Sequence, residues 1–268
     1  MKQYLGLFKI KFINNLQYRV AAIAGIATQF FFGFVFIMVY VAFYESSSNP
    51  SLPMELSELV SYLWLNQAFF ALVYMWTKDK ELLSMIRNGN IAYELCRPVK
   101  FYVKWYVTIY ASKVSDVLLR FAPVLLVAYF LPEPYNLSMP ESLISLILFA
   151  ISLLLSSFLV VAISMIFHII TFFTLNDKGV LTIFMSISEI LAGGTIPLAF
   201  FPDWLAKIAY VLPFRYVCDL PFRIYSGNIG VSSAIPDIIG SLFWTVVCIT
   251  IGYLLTKKAL KKAVIQGG

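Results

Sequence analysis

KDKELLSMIRNGNIAYELCRPVKFYVK, residues 78–104, is the reading on which the fold turns. It carries Lys78, Asp79, Lys80, Glu81, Arg87, Glu94, Arg97, Lys100 and Lys104, nine charged side chains in a chain with only 20 Lys and Arg and 14 Asp and Glu. Apolar runs of bilayer-spanning length lie on both sides of it, so it reads as a cytoplasmic loop between two membrane spans. Residues 78–87 predict a short helix with Leu82, Leu83, Met85 and Ile86 on one side, stopped by Asn88-Gly89-Asn90, residue types that tolerate left-handed backbone. Arg97-Pro98 then turns the chain, because the residue before a proline is pushed out of the helical region.

Outward from that loop the composition is that of an integral membrane protein: 60% hydrophobic and 13% charged, against roughly 25% charged in soluble domains. The net charge of +6 is what cytoplasmic flanks of spans supply, and it does not call for nucleic acid. Residues 20–44 are uncharged, too long a run for the ~7 to 15 residues of a signal-peptide core, and are read as the first span. Residues 1–19 mix Lys2, Lys9, Lys11 and Arg19 with Leu5, Phe8, Phe12 and Leu16 at helical spacing, which predicts an interfacial helix under the inner leaflet.

The remaining spans follow from uncharged runs. Expected are an all-α fold with six transmembrane helices at about 20–43, 59–77, 105–131, 142–170, 180–198 and 238–256, and both termini cytoplasmic. The uncharged stretch 142–176 is longer than the ~30 Å hydrocarbon core needs, so span four is expected to tilt or project. Residues 199–236 are too rich in proline for one helix and too aromatic for a wet loop. Between Pro202 and Pro213, Trp204, Leu205, Ile208 and Leu212 recur at helical spacing, which predicts a re-entrant outer helix; a helix resting flat on the membrane fits as well. With this topology 15 Lys and Arg are cytoplasmic and three (Lys207, Arg215, Arg223) are outside, a strong positive-inside bias. It also places Cys96 inside, Cys218 outside and Cys248 within a span, so no disulfide is expected.

Catalytic chemistry is not visible. There is no G-x-x-x-x-G-K-[ST] phosphate loop, the single histidine, His168, has no metal-ligand partner at useful spacing, and the serines of span four (Ser152, Ser156, Ser157, Ser164) suit close helix packing. Neither catalytic residues nor cofactor or metal sites are expected in this chain. Charges inside the spans need partners. Straight-helix depths put Arg120 and Glu189 within about 3 Å of each other along the membrane normal, which predicts a pair, with Asp116 one turn before Arg120 as competitor or third member.

This organisation, with the strings MIRNGNIAYELCRPV (85–99) and LPFRYVCDLPFRIYSGNI (212–229), resembles the permease subunits of type-2 ABC exporters, in particular a small six-span subgroup. The resemblance implies a dimer of permeases, homodimeric or heterodimeric, working with separate ABC ATPase subunits that bind ATP and magnesium. It further implies coupling loops facing the ATPase: Arg87, Gly89, Glu94, Arg97 and Pro98 in the large loop, and Asp177, Lys178 and Gly179 in the small one. The alternative is that these residues are solvated flanks. Pro202, Trp204, Tyr210 and Pro213 are the expected outer gate. The expected activity is export of an amphipathic, lipid-like, peptide or drug-like substrate across a bacterial inner membrane. A membrane enzyme acting on lipid head groups, or an anchor for a cytoplasmic complex, are the competing classes.

Overall fold

The two longest uncharged runs form continuous helices, and spans three and five break where a proline and a glycine pair fall. The computed structural model describes residues 2–47, 52–75, 79–88, 91, 94, 96, 98–174 and 179–266, and no strand occurs among them. In chain order the helices are α1 (Lys2–Leu16), α2 (Arg19–Ser46), α3 (Leu56–Ala68), α4 (Phe70–Val73), α5 (Lys80–Arg87), α6 (Phe101–Leu118) and α7 (Phe121–Tyr129). They continue with α8 (Leu143–Thr174), α9 (Gly179–Leu191), α10 (Asp203–Val211), α11 (Asp219–Tyr225) and α12 (Val231–Gln266), with single 3₁₀ turns at Leu198–Phe200 and Pro213–Tyr216. Three described segments are long and apolar enough to cross a membrane: Arg19–Ser46, Leu143–Phe173 and Val231–Lys261. They correspond to the first, fourth and sixth expected spans.

The uncharged run 142–176 becomes the 32-residue α8, about 48 Å long at 1.5 Å per residue. It is the hub of the bundle, in contact with α12, α11, α6, α5, α4 and α9. Ser152, Ser156, Ser157 and Ser164 on it are all buried, the small side chains that let neighbouring backbones approach.

The other three expected spans are interrupted, two of them with a local cause. Span two splits at Phe69 (φ −98°, ψ 11°) into α3 and the single turn α4. Span three splits at Leu119-Arg120. Pro123, in the first turn of α7, has no N–H for the Leu119 carbonyl and its ring would clash with that group in a continuous helix. Span five was expected to reach Leu198 but stops at Leu191. Gly194 N–H reaches the Glu189 carbonyl and Gly193 N–H the Ile190 carbonyl, the paired bonds of a Schellman termination. Gly193 sits at φ +81°, and a Cβ there would lie 2.7 Å from the Tyr62 hydroxyl.

The N-terminal helix α1 runs along α6. Tyr4 Oη accepts from the Lys100 N–H at 3.0 Å, and the Phe8 and Tyr110 rings are 6.2 Å apart. The two helices therefore run side by side in the same direction. Leu5, on the apolar side that predicts an interfacial helix, is 66% exposed.

Candidate functional site

Within the charged segment 78–104, Lys80–Arg87 forms the short helix α5. Asp79 precedes α5 and its Oδ1 accepts from the Leu82 N–H at 2.9 Å, the N-cap bond that a carboxylate at this position is suited to make. Leu82, Leu83 and Ile86 are buried while Lys80 and Glu81 face outward, so the helix has one apolar and one charged side. Its start is tied to α8: the Asp79 N–H donates to His168 Nε2 at 3.0 Å, and His168 Nδ1 lies 2.7 Å from the Ser164 carbonyl. A carbonyl can only accept, so the imidazole carries its proton on Nδ1 and presents a lone pair at Nε2. His168, expected near a helix end, is fully buried and performs this joining role.

The break in span two is stabilised by a cation from α6. Lys113 Nζ donates to the Tyr74 carbonyl at 2.8 Å and the Leu72 carbonyl at 3.2 Å, with Ala71 at 3.5 Å. These are end-of-helix carbonyls that α4 cannot satisfy itself, at the pole where a cation is favoured. On the other side of the same turn, Glu189 Oε2 accepts from the Met75 N–H at 3.4 Å and lies in the field of Lys113. The expected Arg120–Glu189 pair is not formed among the described residues. Glu189 is aligned with Lys113 across the α4 terminus, while Arg120 packs its guanidinium against α2, where a Cβ on Gly25 would approach it to 2.8 Å. Asp116 lies in the field of both Arg120 and Lys113.

A cavity of about 440 Å³ lies beside Lys113, Asp116 and Arg120. It is lined by Lys11 and Asn15 of α1 and by Ala21 and Ala22 of α2. Asp79 to Glu81, Ser112 and His168 line it as well.

The segment after α9 is locked by a second polar group. The Asp219 N–H donates to the Ala192 carbonyl at 3.0 Å, and Asp219 Oδ1 accepts from the Leu198 N–H at 3.0 Å. Its Oδ2 pairs with Arg223 Nη1 at 3.2 Å, and Arg223 also donates to Tyr210 Oη at 2.8 Å and Asn228 Oδ1 at 2.7 Å. Burial pushes the Asp219 carboxyl above its usual range, with Arg223 pulling the other way. Arg215 pairs with Asp237 and stacks over Tyr210. Tyr62 Oη and Asn66 Nδ2 of α3 donate to the Gly193 and Gly194 carbonyls at 2.8 and 2.6 Å.

Helix α11, between α3 and α8, is the part of this segment inserted into the bundle. Phe222 is fully buried and its ring meets those of Tyr62 and Phe69. Between Pro202 and Pro213, where the sequence predicts a re-entrant helix or one resting flat on the membrane, α10 forms on the outside of the bundle, with Trp204 65% accessible and only Ala209 buried. Pro202 precedes α10 and Pro213 opens the following 3₁₀ turn. Tyr210 joins the lock through Arg223.

Of the expected coupling residues, Glu94 is buried and paired with Lys104, so it is a link inside the fold. Pro98 and Gly179 are described, Gly179 as the exposed first residue of α9. Gly89, Arg97, Asp177 and Lys178 lie outside the described residues, as does the side chain of Arg87. Four groups that matter were given no such role by the sequence reading: Asp79, Lys113, Asp219 and Arg223. Asp219 and Arg223 had a signal, opposite charges at i,i+4 within the quoted string 212–229. Lys113 had none beyond its presence in an apolar run.

A family model described as ABC-2 family transporter protein matches residues 54–267, which include every element above from α3 onward. No curated protein matches the chain significantly.

Proposed function

The chain belongs to the ABC-2 family of transporter proteins, a membrane component of ABC transport, and from that premise we propose that it is the transmembrane subunit of an ATP-driven exporter. It crosses the membrane six times with both ends in the cytoplasm. It forms half of a pathway in a homo- or heterodimer of permeases, and its substrate is amphipathic: lipid-like, peptide or drug-like. ATP and magnesium are held by separate ATPase subunits. In this reading α5 is the coupling element, with Arg87, Gly89, Arg97 and Pro98 completing its loop and Asp177, Lys178 and Gly179 forming a smaller second contact. On the outer side α11 is the re-entrant helix, and α10, carrying Trp204 and Tyr210, covers it.

The observation that carries the reading is α5 itself. A helix capped by Asp79, joined to α8 through His168 and buried along Leu82, Leu83 and Ile86 can pass a push into the bundle without bending. Its charged side is left for a partner. A two-state element of this kind is what energetic coupling between sites requires.

The test is to express the tagged chain in its source cell, solubilise it and measure ATP hydrolysis that copurifies. Lys80→Glu combined with Arg87→Glu reverses two charges of α5 and leaves Leu82, Leu83 and Ile86 in place. Membrane yield is expected to stay within about twofold, because surface substitutions cost ~0.5 kcal/mol or less, while copurifying hydrolysis falls at least about tenfold. Undiminished hydrolysis in the double variant would reject α5 as the coupling contact.

A further inference from the structure

The cavity between α1, α2, α5 and α6 has a volume of about 440 Å³, within the ~300 to 1,000 Å³ of ordinary ligand sites. Its charged groups divide into those already engaged and those not. Lys113 is turned onto the α4 carbonyls, the Asp79 carboxylate caps α5, and both nitrogens of His168 are used. The exposed Lys80 and Glu81 line it as well, and so does Asp116, whose carboxylate lies in the field of Arg120 and Lys113 but makes no ion pair with either within 4.0 Å. Among the described residues, Arg120 and Lys11 make neither a hydrogen bond nor an ion pair within 4.0 Å, and Arg120 Nε is closed off from solvent with no acceptor. A desolvated, unmatched guanidinium N–H is costly unless an acceptor arrives.

The site is also built around that guanidinium. Gly25 provides the notch on α2 in which it rests, since a Cβ there would come within 2.8 Å of Cζ and Nη1. Its donors form a planar fork suited to two oxygens of one phosphate or carboxylate, with Lys11 in the same cavity lining as a second cation. Beside the cavity, α2 presents Val20 and Ile23, 82% and 67% exposed, an apolar flank along which acyl chains can lie.

We infer that this cavity is a binding site for a phosphate group, held by Arg120 and Lys11, whose source is a phospholipid head group entering from the cytoplasmic leaflet or a free phosphate. The inference rests on the proposed function only in placing the cavity at that leaflet. Binding is measured on the isolated chain, so failure to copurify an ATPase would leave it standing.

The experiment uses the full chain in detergent, with three probes: dioleoylphosphatidylglycerol, dioleoylglycerol of the same chains without phosphate, and inorganic phosphate. Native mass spectrometry or thermophoresis gives the dissociation constants. Saturable binding of the phospholipid is expected, with dioleoylglycerol at least about tenfold weaker, the ratio one charge-assisted contact provides. Arg120→Gln should weaken the phospholipid by about tenfold or more, with Arg120→Lys recovering part of the loss. Lys11→Gln, on a helix with no buried residue, should weaken it about threefold, and it keeps the test open if Arg120→Gln fails to fold. Competition by inorganic phosphate would identify the anion as sufficient, and its absence would identify the lipid as the source. Equal binding of dioleoylglycerol, or an affinity unchanged within about twofold in Lys11→Gln and in whichever Arg120 variant folds, would overturn the assignment.

Discussion

Replacing Lys113 by methionine keeps the volume of the side chain and removes its charge, and the structure says where the damage falls. Three carbonyl oxygens at the end of α4, at 2.8, 3.2 and 3.5 Å from Nζ, lose a shared donor, and Lys113 itself is only 2% exposed, so water does not simply replace it. Glu189 keeps one long bond from the Met75 N–H at 3.4 Å and loses the nearest opposing charge. Removing one partner of a buried ionic group costs about 3 to 5 kcal/mol, most of it the penalty on the charge left behind. At ~2 to 4 °C per kcal/mol for a chain near this size, the midpoint of thermal unfolding should fall by roughly 10 °C. Glu189→Gln should cost less, because an amide oxygen can still accept from Met75. Lys113→Met with Glu189→Gln should then be less destabilised than the two single losses added together, since neither charge is stranded. Thermal unfolding in detergent, followed by tryptophan fluorescence, is the assay. A loss under about 1 kcal/mol for Lys113→Met, or strict additivity in the double variant, would refute the ionic account of the α4 terminus.

Two further outcomes are expected. Arg223→Leu strands Asp219, which is 2% exposed, and should cost about 3 to 5 kcal/mol at neutral pH. Burial already raises the Asp219 carboxyl and the variant loses the cation opposing that rise. A carboxyl raised by folding destabilises above its unfolded value near 3.9, so the deficit in melting temperature should shrink as pH falls from 7.5 toward 5; a pH-independent deficit would count against the pair. Of the three thiols, Cys96 is exposed while Cys218 and Cys248 are buried, and burial pushes the Cys218 thiol well above the usual range. A maleimide at pH 7 should label about one thiol per native chain and three after denaturation, whereas rapid native labelling of Cys218 would contradict the packed position of α11.

What the sequence makes legible is set by how local the cause is. The uncharged runs 20–44 and 142–176 become α2 and α8 because nothing within them competes with helix. The prolines at 202 and 213 bracket α10, and Gly193-Gly194 ends α9 through its own backbone geometry. The break at Phe69 carries no glycine or proline; part of its support is Lys113, 44 positions away, and no window over residues 59–77 contains that information. The pairing of Arg120 with Glu189 failed for a related reason. The depth estimate took spans three and five as straight helices ending at Leu131 and Leu198, whereas Pro123 divides the first and the second stops at Leu191. Pro123 was legible and bore directly on the estimate. That α11 packs inside the bundle is not legible by pattern, since α10 and α11 are both short, apolar and close to prolines. It follows from Phe222 and Asp219 fitting against α3, α8 and the α9 terminus.

Under the proposed coupling, the placement of polar contacts on α8 has a mechanical consequence. His168 holds α5, and Ser156 donates to the Val217 carbonyl just ahead of α11. Twelve residues separate the two points, about 18 Å along the axis. The buried residues between them are packed at 0 to 6% exposure, including Leu159, Val160, Val161, Ala162 and Met165, so the segment has no soft place in which to absorb a displacement. A helix shift of ~1 to 2 Å, the usual size in switching proteins, exceeds what a hydrogen bond tolerates, because the interaction weakens steeply outside its narrow range of length and angle. Displacement of α5 must then either carry α8 and α11 with it or break the contact at His168 or at Val217. The apolar packing favours the first. That makes α8 the rod, α5 its handle and the Asp219–Arg223 group the catch at its far end, with the α4 terminus, held by Lys113 and Glu189, standing beside the rod where its tilt would be felt.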